Sequence, residues 1–378
     1  MFDRDATPVA GPSRSSGTED ESTIRSAAHS TSRRARFSRG RSSGLTGGVL
    51  VSVVALTACT ADSGAGPAAE AKLSAVEEIT AERVLKVSEP HEQTGMTLLE
   101  GPTFDDEGNL LLVDVTAPAR GDKVMRIDLD SDRVTRFHTD DKSAFTSAQW
   151  GPNDDRLYLT DYAGGRIISV GSDGDDARTV FEGDVEGRQM HPDDLAFDSD
   201  GNLFVSDSAA TAYPDAEPAG RVIRIDADSS EATVLAKRQP NPNGISLGPD
   251  DDELWVSQLD ADRIDRLLLN DDHTAVTTGH TAIHIDGGAA QTDSNGIDAE
   301  GNVYQAMHGI PEIRVHSRHG QHLATVRIPD GDDELESATN IAIRPGTDDA
   351  YVTVSGPEGG FVYRFDALGE GTRQSNGG

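Results

Sequence analysis

Gln291-Thr-Asp-Ser-Asn-Gly-Ile-Asp-Ala-Glu-Gly-Asn-Val-Tyr-Gln-Ala-Met-His-Gly309 reads as a β-hairpin. Asp298 to Gly301 has the composition of a tight turn, and Asn302 to Met307 that of a strand carrying apolar and aromatic residues. Ahead of the turn, Asp293, Ser294 and Asn295 place three small oxygen-bearing side chains just before an apolar step at Ile297. The unit recurs along the chain. Taking the apolar or aromatic centre of each second strand as a marker gives Leu111, Tyr158, Phe204, Trp255, Tyr304 and Tyr351, spaced 46 to 51 residues apart. An even period of this size with several short strands per unit signals a propeller.

The segments around the markers support that reading. Third strands follow at Val124 to Ile127, Arg166 to Val170, Arg221 to Ile225, Arg263 to Leu267, Ile313 to Val315 and Phe361 to Phe365. Their period-2 alternation is what a half-buried strand requires. Fourth strands are expected at Arg133 to Phe137, Arg178 to Phe181, Ala232 to Leu235, Thr274 to Thr277 and Leu323 to Ile328, and the sixth unit has none. Glu82 to Ser88 stands unpaired ahead of the first unit and is the natural replacement. Pairing it with the last blade ties the two ends of the ring together and removes an exposed strand edge. The fold class is therefore all-β, a six-bladed β-propeller over residues 79–367 whose last blade is closed by an N-terminal strand. A β-sandwich, the competing architecture, predicts neither the even period nor the missing final strand.

Counting back from the markers aligns the first strands, which line the axis of a propeller. Glu100, Thr146, Asp193, Asn243, Asp293 and Thr339 then occupy equivalent positions. A ring brings them to one height around one channel mouth. Three carboxylates and a carboxamide crowded there repel unless a cation neutralises them. With hard oxygen donors and neither Cys nor His at these positions, the pattern points to Ca²⁺, or another divalent ion such as Mg²⁺ or Mn²⁺, over zinc. Taken singly, each Asp or Asn is more often a turn cap than a ligand; the argument rests on their shared repeat position. Strand alternation places Asp194 on the face opposite Asp193, although the two could exchange roles. His191 and His308 fall near the same mouth, where a lone histidine is more often a surface residue than a substrate contact.

The formal net charge is −33, and residues 1–58 hold more arginines than acids, so the remainder is still more acidic. Such a surface argues against a nucleic-acid partner, because phosphate binding needs a basic face. Gly44 to Ala58 is small and apolar but shorter than the ~20 residues of a membrane span, which suits a signal-peptide core. Leu56-Thr-Ala-Cys59 follows it directly and resembles a bacterial lipobox; Cys59 is also the one cysteine of the chain, so no intrachain disulfide forms. The expected organisation is a signal peptide with lipobox (1–58), a flexible tether (59–78), the propeller (79–367) and a flexible tail (368–378). The protein is then exported as a lipoprotein that meets the membrane only through a lipidated Cys59.

Leu99-Glu-Gly101, Asp193-Asp194 with Phe197-Asp198, Asn243-Gly-Ile245, and Asp293-Ser294 with Ile297-Asp298 and Ala306-Met307 resemble the regucalcin and gluconolactonase family of calcium-dependent lactonases. The resemblance implies a metal held by Glu100, Asp193, Asn243 and Asp293 and, in one member, by the residue matching Ser294. It implies proton transfer by Asp293 and a small-molecule lactone as substrate. A second, structural calcium site is left open, since Arg188 and Met190 stand where Thr and Tyr are expected. The alternative class of function is a non-catalytic, surface-tethered propeller that binds a ligand or partner and uses calcium structurally.

Overall fold

A computed structural model describes residues 75–208, 217–329, 331 and 334–376. The expected signal peptide, Cys59 and the expected tether up to residue 74 lie outside these residues. Six sheets of four to six strands follow one another as blades, each built mainly of antiparallel strands running outward from an inner strand, and a two-stranded ribbon, Asp184–Val185 with Arg188–Gln189, lies between blades 2 and 3. Those inner strands are Leu99–Phe104, Phe145–Trp150, Pro192–Phe197, Pro242–Leu247, Gln291–Asp298 and Ser337–Ile343, belonging to blades 1 to 6. Each lies against the inner strand of the next blade, and that of blade 6 returns to that of blade 1. Glu82–Ser88 pairs antiparallel with Gly359–Asp366 and supplies the outer strand of blade 6.

What holds the ring together is apolar packing between the faces of neighbouring sheets. Ile313, Val315 and Ala324 of blade 5 share one buried cluster with Ile341, Val352, Phe361 and Tyr363 of blade 6. Leu111 and Val113 of blade 1 share another with Ala148, Leu157 and Leu159 of blade 2. Each fully buried aliphatic side chain contributes on the order of 1.5–3 kcal/mol relative to exposure. Because both faces of every sheet are covered by neighbours, its strands are more continuously apolar than one-sided sheets require.

Three boundaries depart from the sequence expectation. The fourth strand of blade 4 is Val276–His284, longer and later than Thr274 to Thr277. Its Thr- and His-rich stretch gains order from a full ladder with Arg263–Leu269 that its composition does not advertise. At the N-terminal side, Glu77–Thr80 already forms a strand, parallel to His322–Arg327 with Ile79 opposite Val326. Residues 77 and 78, placed in the tether from sequence, thus belong to the outer edge of blade 5.

The third departure concerns the tail, expected to be flexible over 368–378. Gly371–Asn376 forms a strand that pairs antiparallel with the inner strand of blade 5, Gly371 opposite Asp298 and Asn376 opposite Gly296. Further backbone bonds tie it in, from Ala299 N to Glu370 O at 2.8 Å, Gly346 N to Gly371 O at 2.8 Å and Gly371 N to Thr347 O at 2.8 Å. An unpaired inner edge offers free N–H and C=O groups, and a polar tail needs no apolar pattern to use them. Deleting residues 369–378 is expected to lower the melting temperature by at least a few degrees and to speed amide exchange at Gly296 and Asp298, read by calorimetry and hydrogen exchange.

Candidate active site

All six inner strands break register against their second strands at the same height. Breaks fall between Glu100 and Thr103, Phe145 and Ser147, Pro192 and Leu195, Pro242 and Ile245, Thr292 and Asn295, and Ala338 and Asn340. A bulge adds one residue to one strand and re-aims its side chains. Five of the aligned positions, Thr146, Asp193, Asn243, Asp293 and Thr339, fall within these breaks, and the sixth, Glu100, stands at the edge of its own, paired with Val113.

The two threonines are spent on structure. Thr146 Oγ1 donates to Asp193 O at 2.9 Å, and Thr339 Oγ1 donates to Leu99 O at 2.5 Å, each stitching its blade to the next one. The other four positions bring oxygen and amide groups together. Asn243 Nδ2 donates to Asp193 Oδ2 at 3.1 Å, and Ser294 Oγ donates to Asn243 Oδ1 at 3.3 Å. Glu100, Asn243, Asp293 and Ser294 are buried, while Asp193 is partly open to the mouth. Close approach of neighbouring bulges requires glycine twice. A Cβ on Gly101, whose φ is +53°, would stand 2.5 Å from Ala148 N, and one on Gly244 would stand 2.5 Å from Asn295 N.

Asp194 is a correction to the alternation argument. Because the bulge adds a residue between Pro192 and Leu195, consecutive side chains no longer take opposite faces, and Asp194 joins the same electrostatic cluster as Asp193. It is 1% exposed, and neither of its carboxylate oxygens completes a hydrogen bond; Glu100 Oε2 is buried and unpartnered as well.

Burial is the first cause that pushes these acids up, and repulsion from neighbouring carboxylates adds to it at Glu100, Asp194 and Asp193. Glu100 lies well above the usual carboxylate range through burial and then the charges of Asp293, Asp194 and Asp193. Asp194 is raised well above that range by burial and by Asp193, with the nearby hydroxyls of Ser294 and Ser147 offsetting only part. Asp193 is pushed up to about 7 by burial and by Asp293. Asp293 is raised by burial and partly relieved by His308, whose Nδ1 lies 3.5 Å from its Oδ2.

Among the described residues no three His, Cys, Asp or Glu side chains form a closed cage for an ion. The ring nevertheless suits a hard divalent cation in its chemistry. It gathers carboxylate, amide and hydroxyl oxygens, and it buries three carboxylate oxygens, Glu100 Oε2 and both of Asp194, that complete no hydrogen bond. Such orphaned anionic oxygens are costly unless a positive charge meets them.

A family model described as the SMP-30/gluconolactonase/LRE-like region matches residues 98–356. The chain belongs to this family. It is 30% identical over 314 residues to a protein named lactonase drp35 of Staphylococcus saprophyticus, covering 81% of this chain and 91% of that one. Among solved structures it resembles regucalcin of Agrobacterium tumefaciens, described as a calcium-binding protein, with a TM-score of 0.62, 17% identity and coverage of 79% and 99%. A gluconolactonase of Xanthomonas campestris superposes with a TM-score of 0.60, 18% identity and coverage of 76% and 97%. The two structural likenesses bear on the fold, a propeller of this family.

Beneath the site in this member of the family runs a buried polar chain that the repeat alignment alone does not single out. Gln305 Nε2 donates to Asp293 O at 2.9 Å and to Ser294 O at 3.2 Å, pinning the bulge from behind. Its Oε1 accepts from Ser257 Oγ at 2.6 Å; Ser257 Oγ in turn accepts from Asn295 Nδ2 at 2.7 Å, and Asn295 Oδ1 accepts from Ser246 Oγ at 2.7 Å. A signal is present in the repeat all the same. Leu112, Leu159, Val205, Val256 and Val352 are aliphatic where blade 5 has Gln305.

Gln305→Leu is expected to cost about 1–3 kcal/mol in urea unfolding, because it strands the Ser257 hydroxyl and the bulge carbonyls. The raised carboxyls bind protons more tightly in the folded chain than in the unfolded one. Their contribution is therefore favourable at low pH and is lost as pH rises from about 4 through about 7. The chelated protein is expected to melt at lower temperature at about pH 8 than at about pH 5, and excess Ca²⁺ to remove most of that difference, read by calorimetry.

Proposed function

We propose that the chain is a calcium-dependent hydrolase that opens a lactone ring at this channel mouth. The observation that carries the reading is the set of buried, unpartnered carboxylate oxygens on Glu100 and Asp194, inside a ring of hard donors. Membership of a gluconolactonase-like family, and a relative named as a lactonase, support lactone as the substrate class. Glu100, Asp193, Asn243, Asp293 and Ser294 would hold the ion, and Asp194 stands close enough to share its charge with them. Bound there, a divalent cation supplies a Lewis acid for the negative charge that grows on a lactone carbonyl during attack.

The chain's own residues do the remaining work. Asp293 sits at the start of blade 5, with its main-chain oxygen fixed by Gln305 and its Oδ2 beside His308. In the ionised form it takes a proton from water as the water oxygen bonds to the carbonyl carbon. It then returns that proton to the ring oxygen as the carbon–oxygen bond breaks, leaving a hydroxy acid. Asn243 holds Asp193 by its amide, so the neighbouring donors keep their places while Asp293 changes protonation. Export and lipid attachment at Cys59 are part of the proposal, supported by the apolar run and the lipobox-like Leu56 to Cys59.

A panel of small lactones is expected to be hydrolysed by the purified protein, with activity lost to chelator and restored by calcium. Asp293→Asn is expected to lower kcat by roughly 10²–10⁴-fold, the usual worth of a positioned general base. Full activity in that variant would remove Asp293 from the role. No hydrolysis under any metal, with calcium still bound, would make the protein a ligand-binding propeller instead.

A further inference from the structure

Blade 5 lacks a device that the first three blades share. In blades 1 to 3 the second strand ends in a buried aspartate that holds the loop leading into the inner strand. Asp114 Oδ1 accepts from Leu98 N at 3.3 Å, Asp161 Oδ1 from Ala144 N at 3.3 Å and Asp207 Oδ1 from His191 N at 2.7 Å. The register places Leu99 opposite Asp114, Pro192 opposite Asp207 and Thr292 opposite Met307. The blade that carries Asp293 thus has a methionine, with nothing to donate or accept in that way, where those three have a latch.

The next residue along is His308. At its place in the other repeats stand Val115, Tyr162, Ser208, Leu259 and Ser355, so the imidazole belongs to blade 5 alone. Its ring is half exposed at the mouth, while the Asp293 side chain that it faces is 5% exposed. Ser337 Oγ lies 3.4 Å from His308 Nδ1, the same nitrogen that faces Asp293, and accepts from Gly309 N at 2.9 Å. The ring is therefore steadied from blade 6 and turned toward the carboxylate.

We propose that His308 is the positioning residue of Asp293, its Nδ1 holding Oδ2 and leaving Oδ1 as the oxygen that exchanges protons with water. The inference rests on the lactonase reading for its kinetic consequence, though the contact itself does not. It gives the blade a substitute for the missing latch, acting on the side chain where Gln305 acts on the backbone. A carboxylate free to rotate spends part of its time misaligned, and a displacement of about 1 Å at a reacting group can cost up to ~10²-fold in rate.

The test compares His308→Ala, His308→Asn and His308→Gln in the full protein. An asparagine carries its amide nitrogen on Cγ, as histidine carries Nδ1, whereas glutamine carries its nitrogen one bond further out. His308→Ala is expected to lower kcat about tenfold or more with KM within about twofold. His308→Asn is expected to recover most of that loss and His308→Gln little of it. Melting temperature and calcium affinity by calorimetry should stay close to wild type in all three variants. Equal activity in all four proteins, asparagine no better than alanine, or calcium binding lost with the ring would each overturn the proposal. A second readout needs no substrate: the ¹⁵N shift of His308 Nδ1 should move in Asp293→Asn. If it does not move, the contact is absent. If wild type opens no lactone while the shift moves, the lactonase reading fails and the pairing stands.

Discussion

The constraint on which this structure turns is mutual repulsion among Glu100, Asp193, Asp194 and Asp293, crowded at one end of a channel and largely out of water. A flexible chain would relieve it by letting the carboxylates separate. The propeller prevents that, because each inner strand is wedged between two others and carries one face of a packed apolar cluster. Burial energy distributed over six inter-blade cores thus offsets a local electrostatic cost. Burial first and this repulsion second raise the affinities of these acids for protons, and a cation would be another means of meeting the cost. The same crowding is what the proposed divalent cation would relieve.

The blades divide the labour through the residue next to each aligned position. Blades 1 and 4 place glycine after Glu100 and Asn243, which lets the neighbouring strand come close enough to present its own donors. Blade 5 places Ser294 after Asp293 in the space beside Gly244, and blade 3 places a further carboxylate, Asp194, after Asp193. Blades 2 and 6 use threonine hydroxyls to bond a neighbour's main chain. Identical backbone geometry therefore yields unequal chemistry, set by one or two residues per repeat.

The period of the markers is enough to read the blade count, the closure of blade 6 by Glu82–Ser88 and the shared height of the aligned residues. Those features follow from repetition, which survives without knowledge of contacts. Alternation misplaces Asp194 because the rule assumes an unbroken ladder, and a bulge leaves no residue type of its own in a strand that already lacks glycine. Gln305 is legible in principle as the one polar residue in an aliphatic column, yet only the partner carbonyls reveal what it does. The tail looks free in sequence because Gly371 to Asn376 has no apolar alternation. Its order comes from main-chain bonds to an edge that no sequence window contains.

Blade 5 gathers more of these devices than any other part of the ring. Its outer edge is extended by Glu77–Thr80 and its inner edge by Gly371–Asn376, so both ends of the described chain finish on the sheet that carries Asp293 and Ser294. Its inner strand is hydrogen bonded on both sides near Gly296 and Asp298, whereas among the described residues the other inner strands pair on one side only. A proton-transferring carboxylate must hold its place through a cycle in which its own charge changes. In the proposed mechanism, the tail at the far end of the strand, Gln305 at its bulge and His308 at its side chain would confine that change to the proton.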